Sequence, residues 1–318
     1  MRSQYKVLVY YHIPEFLSRY EKLIKEKRSD LSLFICDSKE KIENHIEEAD
    51  IIFSGHTFPV DLIPRAKKLK WIQSISAGVE NFVLSASIPQ QVVLTKITGV
   101  HGPIMSEYVL GYILAITLNM KQAFESQNKR KWPYYVPDTI RAKTVGVIGL
   151  GSVGACIAYK LHIVGAEVIG LEEQEKRLPY MSREYLVSEM KDFLERSDFV
   201  VMSLPLTPKT QGIFGKREFA MMKKSAYFIN ISRGALVQEE ALIKALKNGQ
   251  IAGAILDVFS EEPLPKNHEL WTLDNVIITP HISGPSIPED IVKVFLENLR
   301  RFEENKELVG VVDRDKGY

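Results

Sequence analysis

Cysteine is nearly absent from this chain. Cys36 and Cys156 are far apart and form no CxxC pattern, so neither a disulfide framework nor a structural zinc site can be read from them. An excess of charge of one sign is also missing: 41 Lys and Arg face 40 Asp and Glu. No global field therefore exists to attract nucleic acid, a membrane surface or a polyanion. Long hydrophobic runs are lacking as well, and none approaches the roughly 20 apolar residues of a bilayer-crossing helix. Met1 to Lys6 leads straight into the strand-like Val7-Leu8-Val9-Tyr10, without the apolar length of a signal peptide. These absences predict a soluble, cytoplasmic protein with no metal, no nucleic-acid partner and no membrane partner, whose selectivity comes from a local site.

What is present is an ordinary globular composition, 45% hydrophobic and 25% charged over 318 residues, which is enough for two cores. Short apolar runs rich in β-branched and aromatic residues alternate with polar, helix-like stretches. Lys6 to Tyr11, Leu31 to Cys36, Asp50 to Ser54, Leu69 to Ser74 and Val92 to Ile97 form one series, with helical charge spacing in Glu15 to Glu26 and Lys39 to Glu48. That alternation predicts βαβ units and a parallel sheet. A second series starts at Lys143 and runs through Glu167 to Leu171, Asp198 to Ser203, Ala226 to Ile231, Ala252 to Val258 and Val276 to Thr279. These runs are apolar on both faces, as strands covered on both sides must be. The fold class predicted is α/β, with two doubly wound parallel-sheet domains.

Between the two series lies Pro103 to Met120, apolar on most faces, which reads as a long helix serving either as a plain core helix or as a connector at a subunit interface. Lys121 to Lys143, with Trp132, Tyr134 and Tyr135, reads as a polar surface excursion. Ile287 to Phe302 reads as an amphipathic helix that must pack on one of the two blocks; its pattern does not say which.

The first chemical signal is Val145-Gly146-Val147-Ile148-Gly149-Leu150-Gly151-Ser152-Val153-Gly154, an apolar strand entering GxGxxG and then a helix over Ala155 to Val164. Gly149 serves the tight turn, Gly151 close approach by a pyrophosphate, and Gly154 close packing of helix on strand. Free amides at the helix start, including those of Ser152 and Val153, suit phosphate. Glu172, 23 residues beyond Gly149 at the end of the next strand, can accept hydrogen bonds from ribose hydroxyls and repels a 2′-phosphate. NAD(H) is expected, with NADP(H) disfavoured, although Lys176 and Arg177 nearby soften that preference.

Three strand ends carry ionisable residues, where open α/β sheets bind ligands. They are Asn230-Ile231-Ser232-Arg233-Gly234, Asp257-Val258-Phe259-Ser260-Glu261-Glu262-Pro263 and Thr279-Pro280-His281-Ile282-Ser283-Gly284. With the glycine turn upstream and Pro205-Leu206-Thr207-Pro208 between, the chain here resembles the D-isomer-specific 2-hydroxyacid dehydrogenase family over roughly residues 50 to 305. The resemblance implies Arg233, Glu262 and His281 as catalytic residues, with Glu261 an alternative acid. It implies cofactor contacts from Leu204, Pro205, Thr210, Ile231, Asp257, Ser283 and Gly284. It also implies a substrate loop in which Ala77, Gly78 and Val79 bind through main-chain amides. His101 falls where it either lines a cleft or serves only as a hinge residue.

Further implications are a discontinuous, flavodoxin-like substrate domain, residues 1–101 and 286–318, and a Rossmann NAD-binding domain inserted as residues 102–285. A homodimer is expected, acting on a small 2-oxo or 2-hydroxy acid, with glyoxylate or hydroxypyruvate first. Reducing such an acid requires a hydride at C2 and a proton at the carbonyl oxygen. Imidazole exchanges protons near neutral pH, so His281 suits the proton; a neighbouring Glu262 would fix its tautomer. The fork of Arg233 suits a carboxylate and polarises a carbonyl. A nucleotide-sensing regulatory protein of the same fold is the alternative reading.

Overall fold

The computed structural model describes residues 5–85 and 88–317. The chain divides into two compact units, Met1–Val100 with Ser286–Tyr318, and His101–Pro285.

In the first unit, β1 (Lys6–Tyr10), β2 (Ser32–Cys36), β3 (Ile51–Ser54), β4 (Trp71–Ser74) and β5 (Val93–Thr95) pair in parallel, in the order β2-β1-β3-β4-β5. This is the flavodoxin-like doubly wound order. Alternate residues point to opposite faces, so Leu8, Ile52 and Ile72 enter one core while Val7, Val9, Ile51, Phe53 and Trp71 enter the other. Helix Pro14–Lys27 starts with proline in its first turn and buries Leu17, Tyr20 and Ile24, three and four residues apart. The chain returns to this unit as helix Pro288–Glu303, which buries Ile291, Val292, Phe295, Asn298 and Leu299. Phe295 stacks on Trp71 with ring centroids 5.6 Å apart.

Polar groups fix that return. Asn298, fully buried, donates to Gln73 Oε1 and to the Val309 carbonyl, both at 2.9 Å, and accepts the Val309 amide at 2.8 Å. Gln73 Oε1 also accepts from Thr95, whose hydroxyl oxygen accepts from the Trp71 indole. The C-terminal helix is thus wired into β4 and β5 by bonds whose loss would strand buried groups.

In the second unit, β6 (Thr144–Ile148), β7 (Glu167–Glu172), β8 (Arg183–Leu186), β9 (Phe199–Met202), β10 (Tyr227–Asn230), β11 (Gly253–Leu256) and β12 (Val276–Ile278) form a parallel sheet ordered β12-β11-β10-β9-β6-β7-β8. That is the Rossmann order, extended by one strand. Helix His101–Thr117 packs on helix Ser152–Ile163 so closely that a Cβ at Gly102 would lie 3.0 Å from the Cys156 Cβ.

Three sequence readings need adjustment. The helix after the glycine turn begins at Ser152, not Ala155, because the motif itself supplies its first turn. The stretch from Lys121 is not wholly irregular: Met120–Asn128 is a helix that buries no residue. It departs by 63° from helix His101–Thr117 at Asn119, whose φ of 50° is left-handed. The edge strand β8 has no counterpart among the expected strands, since only Tyr185 of its four residues is buried. Among the described residues no single helix is long and apolar enough to cross a membrane.

Candidate active site

The glycine turn follows from its neighbours. Gly149 has φ +87°, which favours glycine, and a Cβ at Gly154 would lie 1.9 Å from the Gly149 carbonyl oxygen. Space is left open at Gly151, where an added Cβ would meet nothing within 4 Å. Helix Ser152–Ile163 begins there without a side-chain cap. Among the described residues, the amides of Gly151, Ser152 and Val153 have no acceptor in the chain. Uncapped amides at a helix start beside an open glycine fit a pyrophosphate, the anchoring group of a dinucleotide. Leu204 lies against the same turn. Thr210 folds its own loop, donating to the Pro205 carbonyl at 2.7 Å and accepting the Thr207 amide at 2.8 Å. Glu172 takes the Leu150 amide on Oε2 (2.8 Å) and the Glu173 amide on Oε1 (3.1 Å). Each oxygen retains a lone pair for a ribose hydroxyl.

At the carboxyl end of β10, buried Asn230 clamps the turn that carries Arg233. Its amide group donates to the Arg233 carbonyl at 3.0 Å and its oxygen accepts the Ser232 amide at 3.1 Å. A Cβ at Gly234 would lie 1.9 Å from the Phe259 carbonyl carbon, so this turn lies directly on the loop after β11. Ile231 is buried beneath it.

That loop contains Glu262, whose Oε1 accepts the Phe259 amide at 2.9 Å and whose Oε2 accepts from His281 Nδ1 at 2.7 Å. Glu262 rather than Glu261 therefore faces the imidazole. The pair is partly open, with side chains 50% (His281) and 35% (Glu262) exposed, so its consequence is orientation more than stability. With Nδ1 occupied, Nε2 is the ring nitrogen available to a ligand.

His281 itself has a φ of 54°, uncommon for a residue with a side chain. Asp257, with no exposed surface, accounts for it. Its carbonyl accepts the His281 amide at 3.0 Å. Its carboxylate accepts the Ile282 and Ser283 amides, each at 2.8 Å, and the Thr279 hydroxyl at 2.6 Å. Three consecutive amides thus close around one residue, an arrangement that left-handed backbone permits. Oδ2 keeps one lone pair unspent. The arrangement presents an imidazole with a fixed tautomer beside a guanidinium turn, which is chemistry suited to moving a proton at an oxygen while an anion is held.

His101 lies in the same unit, 7% exposed, and a Cβ at Gly284 would lie 3.5 Å from its Cδ2. Burial first, and the Arg233 charge second, hold its ring below the ordinary histidine value. In the first unit, the loop after β4 is made of small residues. Ser74 Oγ accepts the Ser76 amide at 3.1 Å, and the amides of Ala77, Gly78 and Val79 have no protein acceptor among the described residues. Sequence reasoning passed over Tyr108, which contacts Thr279; nothing in the pattern links positions so far apart.

Fold and site define a two-unit α/β protein with a dinucleotide-type turn and a clamped Arg, Glu and His set. Comparison narrows this. Residues 110–283 match the D-isomer specific 2-hydroxyacid dehydrogenase, NAD binding domain family. A glyoxylate reductase of Thermofilum pendens is 33% identical over 263 residues, covering 79% of this chain and 76% of that protein. A D-3-phosphoglycerate dehydrogenase of Methanocaldococcus jannaschii is 36% identical over 79% of this chain, which spans only 49% of that relative. A D-isomer specific 2-hydroxyacid dehydrogenase structure from Xanthobacter autotrophicus Py2, in complex with NADPH and MES, superposes with a TM-score of 0.91 at 32% identity, covering 99% of this chain and 100% of that one. The chain belongs to the D-isomer specific 2-hydroxyacid dehydrogenase family, a family of oxidoreductases.

Proposed function

We propose that this protein is an NAD(H)-dependent dehydrogenase that interconverts a small 2-oxo acid and its D-2-hydroxy acid, with glyoxylate and hydroxypyruvate the first substrates to test. The observation that carries this reading is the Nδ1-tethered His281, 2.7 Å from Glu262, in the unit that also holds the uncapped glycine turn. A bound nicotinamide supplies the hydride for C2. His281 gives the proton to the carbonyl oxygen through Nε2 in reduction and takes it back in oxidation. Glu262 keeps the ring in the tautomer this requires. Arg233 holds the substrate carboxylate and polarises the carbonyl. In the first unit, the amides of Ala77, Gly78 and Val79 are donors of the kind that suits a carboxylate. The second unit is accordingly the cofactor domain and the first the substrate domain. Asp257 would hold the nicotinamide carboxamide through its remaining lone pair, and Ile231, Ser283, Gly284, Leu204, Pro205 and Thr210 would be the further cofactor contacts.

The expected cofactor is NADH rather than NADPH, because the Glu172 carboxylate would repel a 2′-phosphate, with Glu173 and Glu175 adding negative charge that Lys176 and Arg177 partly offset. The Xanthobacter relative was captured with NADPH, so the choice between the two cofactors is tested directly. We also infer a homodimer. Ile104, Leu110, Tyr112 and Ile116 of helix His101–Thr117 are only half-buried, and Trp132 and Tyr134 are 99% and 91% exposed. Such a surface suits a second copy of the chain.

The test is loss of NADH absorbance with glyoxylate, hydroxypyruvate and pyruvate, repeated with NADPH. Turnover with NADH and a 2-oxo acid is expected; NADH binding without turnover of any 2-oxo acid would overturn the enzymatic reading. Glu172→Ala should narrow the gap between the two cofactors.

A further inference from the structure

The clamp that holds His281 has an outer member. Tyr108, on helix His101–Thr117, lies with its hydroxyl 2.6 Å from Thr279 Oγ1. Thr279 is 6% exposed, and its single hydroxyl proton goes to Asp257 Oδ1, also at 2.6 Å. The Thr279 oxygen can therefore only accept from Tyr108, and the phenol must be the donor. Burial, the largest influence on the Tyr108 phenol, raises its pKa and keeps that proton in place. The result is a one-way chain from Tyr108 to Thr279 to Asp257. Among the described residues, every donor to the Asp257 carboxylate is neutral: one hydroxyl and two amides.

We infer that Tyr108 and Thr279 are positioning residues for His281. They act through Asp257 without touching substrate or reacting atoms. The Thr279 hydroxyl is held at its proton by Asp257 and at its oxygen by Tyr108. Without the phenol, the buried Thr279 oxygen loses its donor, and the Thr279–Asp257 bond loses the reinforcement that one hydrogen bond gives the next. The carboxylate then holds the Ile282 and Ser283 amides less firmly, and these are the bonds that offset the left-handed backbone at His281. Since His281 moves a proton, a small displacement of its ring slows turnover while leaving cofactor and substrate affinity in place. The catalytic consequence rests on the role proposed for His281, whereas the structural consequence does not.

The experiment uses the full chain as Tyr108→Phe, Thr279→Val, Thr279→Ser and the double variant Tyr108→Phe with Thr279→Val. Steady-state kinetics with NADH and the best 2-oxo acid are paired with amide hydrogen exchange over residues 279–284. Tyr108→Phe should lower kcat by about tenfold with KM within about twofold, as expected of an interaction felt in the transition state. Thr279→Val should be at least as impaired, Thr279→Ser should recover most of that loss, and the double variant should be no worse than Thr279→Val alone, since the two residues form one chain. Exchange at Ile282 and Ser283 should quicken in Tyr108→Phe. Unchanged kcat with only a lower melting temperature, strictly additive losses, or Thr279→Ser as damaged as Thr279→Val would overturn the proposal. Should the wild type turn over no 2-oxo acid, the exchange measurement still decides: faster exchange at Ile282 and Ser283 supports the chain, and unaltered exchange overturns it.

Discussion

The loop after β4 and the loop after β12 both follow parallel strands at the carboxyl ends of their sheets, yet they use their backbones in opposite ways. At His281–Ser283 three consecutive amides are spent on Asp257. At Ala77–Val79 three consecutive amides have no acceptor among the described residues. One loop consumes its donors to hold a side chain still; the other leaves its donors without a protein acceptor among the described residues. The comparison separates two kinds of functional loop. A side chain that must transfer a proton needs a fixed orientation, while an anion can be held by amides alone.

The contrast breaks most sharply at His281. His281→Ala should lower kcat by about two orders of magnitude or more, the scale of lost acid–base catalysis, while NADH still quenches protein fluorescence. Retained turnover would mean that the clamped loop serves some purpose other than presenting an imidazole. The scaffold beneath the other loop comes next. Asn298→Leu would strand both backbone groups of Val309 and leave Gln73 Oε1 with the Thr95 hydroxyl alone, costing about 2 kcal/mol as buried partners go unsatisfied. A lower melting temperature with unaltered kcat per folded molecule is expected. Smaller again is Glu262→Gln, which keeps the shape but removes the charge that His281 Nδ1 donates to. A loss of about tenfold in kcat, with NADH affinity unchanged, would show that the side chain must be oriented as well as present.

Legibility in the sequence follows the same division. Strands buried on both faces, such as Ile51–Ser54 and Phe199–Met202, write continuous apolar runs, and both parallel sheets could be anticipated from them. β8, with one buried residue in Arg183–Leu186, leaves no such trace. Helix Met120–Asn128 buries nothing, so no apolar stripe distinguishes it from a loop. Arg233, Glu262 and His281 stand out by residue type at strand ends. Which of Glu261 and Glu262 meets the imidazole depends on the turn that sends Glu262 Oε1 to the Phe259 amide, and neighbouring letters do not encode that. Asn298 reaching Gln73, or Tyr108 reaching Thr279, joins positions that only the folded chain brings together. The left-handed His281 is likewise invisible beforehand, because the partner that stabilises it lies on a different strand.

The smallest expected effect tests the open loop. Ala77→Pro removes a single N–H and adds no charge, so it takes one donor from the three that have no protein acceptor among the described residues. If those amides hold a carboxylate, one charge-assisted hydrogen bond is lost, about 1.5 kcal/mol or roughly tenfold at most in KM for the oxo acid. Neither kcat nor NADH dissociation should move by more than about twofold, because the His281 loop and the glycine turn belong to the other unit. Gly78→Ala, which leaves every amide in place, serves as the control for altered loop shape. Equal rises in KM for the two variants would point to shape, and an unchanged KM in Ala77→Pro would show that the unspent amides are not what holds the substrate.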